Sequence, residues 1–202
     1  DVWTDIHRIR HSVRRDQHPC QLPVHLLERL VLMTTDESDI VLDPFCGSGT
    51  TNVEARLHGR DSYAIDVDPI AQLLTKVKTT PLDENELRTT RDWLFHAIYS
   101  TKEVEIPDFP NRDYWFRPDV LQDLGIITKQ ISLIENPDIK DFFLVCLSSI
   151  LKDVSNADPK FLYALAISKK MREQNYRKID AKMTFVQRVR ELIPVSYTHL
   201  RA

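Results

Sequence analysis

The chain has 202 residues, 42% hydrophobic and 28% charged, the make-up of an ordinary globular protein with enough apolar material for a core. A net charge of −3, no apolar run near the roughly 18 residues of a membrane span, and a start, DVWTDIHRIR, without a signal-peptide pattern lead to the expectation of a cytoplasmic protein. Three widely separated cysteines, Cys20, Cys46 and Cys146, argue against a disulfide framework and a zinc knuckle, and no metal site is expected.

In chain order, PVHLLERLVLM (23–33) sets Leu26, Leu27, Leu30 and Met33 at helical spacing, with Pro23 suited to a first turn. TTDESD breaks that pattern, and IVLD (40–43) reads as a short buried strand. A Gly-rich stretch follows, then TTNVEARLHGR reads as a helix closed by Gly59. SYAID (62–66) reads as a second strand and PIAQLLTKVK (69–78) as a second helix. Strand, Gly turn, helix, strand is a right-handed βαβ unit, so the fold class predicted is α/β, a Rossmann-like core with a partial parallel sheet. From Pro81 that rhythm stops. Helical patterns occupy 84–101, 119–134, 138–154, 158–175 and 181–192, interrupted by the Pro-broken aromatic connector VEIPDFPNRDYWFRP (104–118). The predicted division is a core at 1–81, a mainly helical insertion or subdomain at 82–194, and a tail at 195–202. That tail, VSYTHLRA, resembles a translated sequencing-library adapter and is expected to be non-native.

The chemistry concentrates in VLDPFCGSGTT (41–51), which holds two of the four glycines in the chain. In a doubly wound sheet a ligand sits beyond the carboxyl ends of the strands, and the first turn of the next helix presents N–H groups to an anion. A phosphate-binding P-loop would close Gly-Lys-Ser/Thr, whereas this turn closes Gly-Thr-Thr. A dinucleotide fingerprint would place a third glycine where Asn52 stands. The pattern suits a ligand with an amino-acid end and a ribose but no diphosphate: Asp43 for the ammonium, the turn amides for the carboxylate, and Asp66 for the ribose hydroxyls. S-adenosylmethionine (S-adenosyl-L-methionine) has those parts.

These residues resemble a known family. VLDPFCGSGTT is similar to motif I of the bacterial DNA amino-methyltransferases, which make N4-methylcytosine or N6-methyladenine. His18-Pro19-Cys20-Gln21-Leu22-Pro23 and the helix after it resemble motif X of that family, and Asp1-Val2-Trp3 the segment that often precedes it. The resemblance implies a Rossmann-like methyltransferase core. It implies S-adenosylmethionine contacts at Asp43, Pro44, Phe45, Gly47, Ser48, Gly49 and Thr50, at Asp66 and Val67, and at His18 and Gln21. It also implies double-stranded DNA as partner and a cognate restriction enzyme as a further one. KVKTTPLD (76–83), the aromatic connector and SSILKDVSNAD (148–158) are similar to a subgroup with a helical segment between motif I and the catalytic motif, while the front of the chain resembles a subgroup with the opposite motif order. The catalytic signature of the family, a Ser, Asn or Asp followed by Pro-Pro and an aromatic residue, has no counterpart, since none of the eleven prolines adjoins another. No catalytic residue is therefore assigned.

Charge distribution qualifies the net value. Residues 169–190 carry eight Lys/Arg against two acids, and 7–15 carry four arginines and no acid, two segments suited to phosphates. Two other readings stand beside the enzyme: a donor-binding module that transfers nothing, and a helical interaction domain whose Gly turn is only structural.

Overall fold

The computed structural model describes residues 22–106, 108–158 and 179–198; the basic segment at 7–15, His18, Gln21 and the helix expected at 158–175 lie outside or almost wholly outside that range. By packing, the chain divides into two compact units, one made of 1–81 with 195–202 and the other of 82–194.

The first unit opens with helix α1 (Val24–Thr34), whose inward stripe buries Leu27 and Val31 and whose Pro23 cap has an extended backbone. Strand β1 (Ile40–Asp43) leads through the Gly turn into α2 (Thr50–Leu57), and β2 (Asp61–Ala64) into α3 (Pro69–Thr79). The strands pair in parallel, Ile40 opposite Asp61 through Asp43 opposite Ala64. Two bonds extend the ladder beyond the strand ends: the Ile65 amide donates to the Asp43 carbonyl at 2.9 Å and the Cys46 amide to the Ile65 carbonyl at 3.0 Å. Helix α2 ends as the sequence predicts, with Gly59 at φ +76° and the Arg60 amide returning to the Ala55 carbonyl at 2.9 Å. The Arg60 side chain then ties β2 to the end of α1, donating to the Thr35 carbonyl at 2.7 Å and to Thr35 Oγ1 at 3.1 Å.

The α/β prediction holds for this unit in small form, because the described sheet has two strands and not the full set of a Rossmann core. Ile40, Leu42, Tyr63 and Ile65 remain more than half exposed, apolar residues that a larger parallel sheet would cover on both faces.

The second unit is helical: α4 (Glu84–Ser100), the single-turn α5 (Arg112–Trp115), α6 (Pro118–Ser132), α7 (Pro137–Val154) and α8 (Ala181–Thr198). The starts of α4, α6 and α7 are chemically marked. Asp83 accepts from the Glu86 amide at 2.8 Å, and Asn136 accepts from the Asp138 and Ile139 amides at 3.0 and 3.3 Å. Pro118 and Pro137 occupy first-turn positions, where a missing N–H costs nothing. Leu87, Leu94, Ile98, Ile127, Phe143, Phe185 and Val189 are wholly buried at the centre. Helix α8 runs past the expected end at 192, through Pro194, to Thr198. None of residues 195–198 is a Gly or Pro, and the helix continues past Pro194, which lacks the N–H for one helical bond and crowds the carbonyl four residues earlier. No described helix is long and apolar enough to cross a membrane.

The aromatic connector packs rather than splays. Phe109 and Phe116 meet edge-on at 6.3 Å and Tyr114 and Trp115 at 5.1 Å, while the Asn156 amide donates to the Trp115 carbonyl at 2.7 Å and its side chain to the Tyr114 carbonyl at 3.0 Å. The described cations of the 169–190 run have partners on neighbouring helices: Lys182 pairs with Asp123 at 3.6 Å, Arg188 with Asp153 at 3.2 Å, and Arg190 lies 5.9 Å from the Phe95 ring centre. Most of the cations in that run lie outside the described residues.

Candidate functional site

The site is the connection between β1 and α2 together with the tip of β2. A strand ending in Asp43 must reverse into a helix within six residues, and the turn does this with Gly47 at φ +49° and Gly49 at φ +79°, conformations that side chains with a Cβ seldom adopt. Gly49 caps α2 and is pinned twice: its amide donates to the Cys46 carbonyl at 2.7 Å and its carbonyl accepts from the Val53 amide at 2.9 Å. A Cβ there would lie 2.6 Å from Thr75 Oγ1 and 3.0 Å from Thr75 Cα. The bare backbone at 49 therefore admits helix α3, where the sequence reading reserved that space for a ligand.

Two carboxylates flank the turn, and both are half-buried. Asp43 Oδ1 accepts from the Phe45 amide at 3.1 Å, an Asx turn that starts the reversal. Asp66, beyond the end of β2, accepts from the Gly47 amide through Oδ2 at 2.9 Å and from the Asp68 amide through Oδ1 at 2.9 Å. Its backbone carbonyl accepts from Gln72 Nε2. Asp66 thus joins the strand tips before any ligand arrives, a link the sequence reading did not foresee.

Of the other expected contacts, Ser48 and Thr50 are half-buried with their hydroxyl oxygens 3.4 Å apart. Pro44 is exposed, and Phe45 and Val67 are 86% and 99% exposed, an apolar residue at each strand tip. The structure brings Asp43, Gly47, Ser48, Gly49, Thr50 and Asp66 into one turn; His18 and Gln21 lie outside the described residues.

Three residues of α3 belong to this site and escaped the sequence reading: Gln72, Thr75 and Lys78. Lys78 Nζ donates to the Ser48 carbonyl at 2.9 Å, and the buried Thr75 hydroxyl lies 3.5 Å from the Gly47 carbonyl and from Cys46 Sγ. Their spacing of three puts them on one helical face and was the available signal. One more residue stands out. Asn52, in the first turn of α2, is 1% exposed with neither side-chain amide atom hydrogen-bonded, a cost of roughly 1–3 kcal/mol per unmet group.

The donor set fits an aminoacyl nucleoside such as S-adenosylmethionine. Two acids on either side of the turn suit an ammonium and a pair of ribose hydroxyls, and the first helical turn of α2 supplies N–H groups without intrahelical partners for a carboxylate.

On the far side of α2, buried Glu54 lies 3.9 Å from His58 Nε2, which is also 3.8 Å from Glu28. Burial first, and Glu28 second, push the Glu54 carboxyl up, while His58 and His25 offset part of that. The thiol of Cys146 is pushed up strongly by burial, so it is an inert core residue of the second unit.

Known proteins resemble this chain. A family model described as DNA methylase matches residues 1–76. Similar curated proteins include the type II methyltransferase M.MvaI of Kocuria varians, 30% identical over 151 residues, covering 69% of this chain and 33% of that protein. They also include M.BamHI of Bacillus amyloliquefaciens, 34% identical over 112 residues with 55% and 24% covered. M2.DpnII of Streptococcus pneumoniae is 46% identical over 68 residues, with 34% and 25% covered. The chain thus spans about a third or less of these relatives, and an alignment covering 69% of it includes residues of both units. No solved structure matches.

Proposed function

Since the chain is a member of the DNA methylase family, we propose that it is the donor-binding part of a DNA amino-methyltransferase that uses S-adenosylmethionine to methylate N4 of cytosine or N6 of adenine. The observation that carries this reading is the bond from the Gly47 amide to Asp66, which brings the Gly turn and the acid of the second strand into one site. The bound donor supplies a methyl group made electrophilic by its sulfonium. Asp43 holds the donor ammonium, the amides opening α2 hold its carboxylate, and Asp66 accepts from the ribose hydroxyls. Phe45 and Val67, apolar and exposed at the two strand tips, present surface that a purine ring would cover.

The acceptor side is different. In the family that this chain resembles, the amine of a flipped base is held by a Pro-Pro-aromatic motif, and these 202 residues contain none. The chain therefore binds the donor and by itself transfers no methyl group to DNA; incubation with radiolabelled S-adenosylmethionine and duplex DNA would show unlabelled DNA, and labelled DNA would overturn this division of labour. Double-stranded DNA and a cognate restriction enzyme are partners of the whole protein in this reading.

Titration calorimetry tests the site. The wild-type chain is expected to bind S-adenosylmethionine in the micromolar range or weaker, and Asp66→Ala to lose roughly 1–3 kcal/mol, a hydrogen-bonded charged partner. Equal binding by the two proteins would remove Asp66 from the site, and the absence of binding by the wild type would leave the Gly turn with a structural role only.

A further inference from the structure

The Gly turn lies between two carboxylates, Asp43 and Asp66, yet the reading above asks it to receive a third, that of the donor. Like charges at such range cost binding unless a cation offsets them. Lys78 supplies one. It sits in the last turn of α3, a position whose usual explanation is the helix dipole, but its ammonium reaches across to a residue 30 positions earlier and bonds the Ser48 carbonyl at 2.9 Å.

The geometry has a second consequence. In a trans peptide the carbonyl and the following N–H point in opposite directions. The Gly47 carbonyl faces Thr75 of α3 at 3.5 Å, so the Ser48 N–H is turned away from α3. The Ser48 carbonyl faces Lys78, so the Gly49 N–H is turned away as well, onto the Cys46 carbonyl. Helix α3 thus grips the carbonyl side of the turn and sets the direction of its amides.

We propose that Lys78 is a positioning residue of the donor site that places positive charge behind the Gly turn and thereby selects a ligand bearing a carboxylate. This rests on the donor-binding reading and goes beyond it by assigning selectivity for the amino-acid end to a residue of α3.

The test compares S-adenosylmethionine with its decarboxylated form, which keeps the adenosine, sulfonium and ammonium and lacks only the carboxylate. Calorimetry is done on the full chain, on Lys78→Met and on Lys78→Gln, the last retaining a donor for the Ser48 carbonyl without the charge. Both substitutions are expected to weaken S-adenosylmethionine roughly three- to tenfold and the decarboxylated form by less than about twofold, the first loss shrinking at high salt. Equal losses for the two ligands, or no loss in Lys78→Gln, would overturn the charge role and leave Lys78 as a structural tether. Should Lys78→Met not fold, Lys78→Gln decides alone. A wild-type chain that binds neither ligand would instead sink the donor-binding reading, an outcome distinct from a failure of Lys78.

Discussion

At the scale of single residues, Gly49 is constrained from two independent sides, by its left-handed backbone and by the 2.6 Å that separates a notional Cβ from Thr75 Oγ1. Gly49→Ala is expected to cost roughly 2–4 kcal/mol, the sum of a left-handed non-glycine and an overpacked contact. Thr75→Ala removes the two side-chain atoms nearest that Cβ, so the double variant should recover part of the loss, and a cycle of urea melts showing strict additivity would refute the contact. Glu54 makes a prediction of opposite sign. Because burial raises its carboxyl in the folded state, the native protein binds more protons than the unfolded chain above the ordinary carboxylate value of 4.5, and stability falls as pH rises through that window. Glu54→Gln should flatten this fall and leave the variant more stable than the wild type at neutral pH; thermal melts against pH would show an unchanged slope if the burial argument is wrong. Neither effect was legible beforehand. A sequence shows a Gly in a turn and a Glu on a helix, but the neighbour of Gly49 lies 26 positions away and the depth of Glu54 is decided by how α1 lies on α2.

At the scale of elements, the local signals were strong and the structure follows them closely. Proline at the first helical turn marks α3, α6 and α7, an acid or amide cap marks α3, α4 and α7, and Gly59 ends α2. These are one-residue effects of backbone geometry and so are written in the chain itself. Asn136 does more than cap, because its Nδ2 also donates to Glu86 Oε1 of α4 at 2.9 Å. Asn136→Ala is expected to destabilise the helical unit by about 1 kcal/mol, while Asn136→Asp, which keeps the cap but faces Glu86 with a like charge, should lose its advantage at low salt and regain it at high salt. Denaturant midpoints at two ionic strengths would decide, and salt-independent values for Asn136→Asp would exclude the Glu86 contact. What the element-level reading missed is Gln72, Thr75 and Lys78. In PIAQLLTKVKT the apolar residues announce a helix, and the polar residues at every third position read as a solvent-facing stripe. Only the fold of α3 onto the Gly turn makes that stripe part of a site.

At the scale of the whole molecule, the chain carries two cores of different kinds. The helical one is filled with large apolar side chains, whereas the unit that holds the candidate site has two short strands on which Ile40, Leu42 and Tyr63 are exposed. Thermal unfolding of the full chain is therefore expected in two steps, with S-adenosylmethionine raising only the transition of the unit that contains residues 1–81, by RT ln(1 + [L]/Kd), or about 2.7 kcal/mol at a hundredfold excess over Kd. Calorimetric scans in which the ligand moved both transitions equally, or in which one transition sufficed, would count against separate stability. The bond from the Gly47 amide to Asp66 has a consequence for anyone who would transplant this site. Residues 41–51 look like a cassette, a contiguous string ready to be lifted into another strand-turn-helix. The shape of that string, however, is held by an acid 19 positions downstream and by a helix beyond it, so a host given only VLDPFCGSGTT receives the letters of the motif without its conformation. A portable unit has to reach at least from β1 to Lys78.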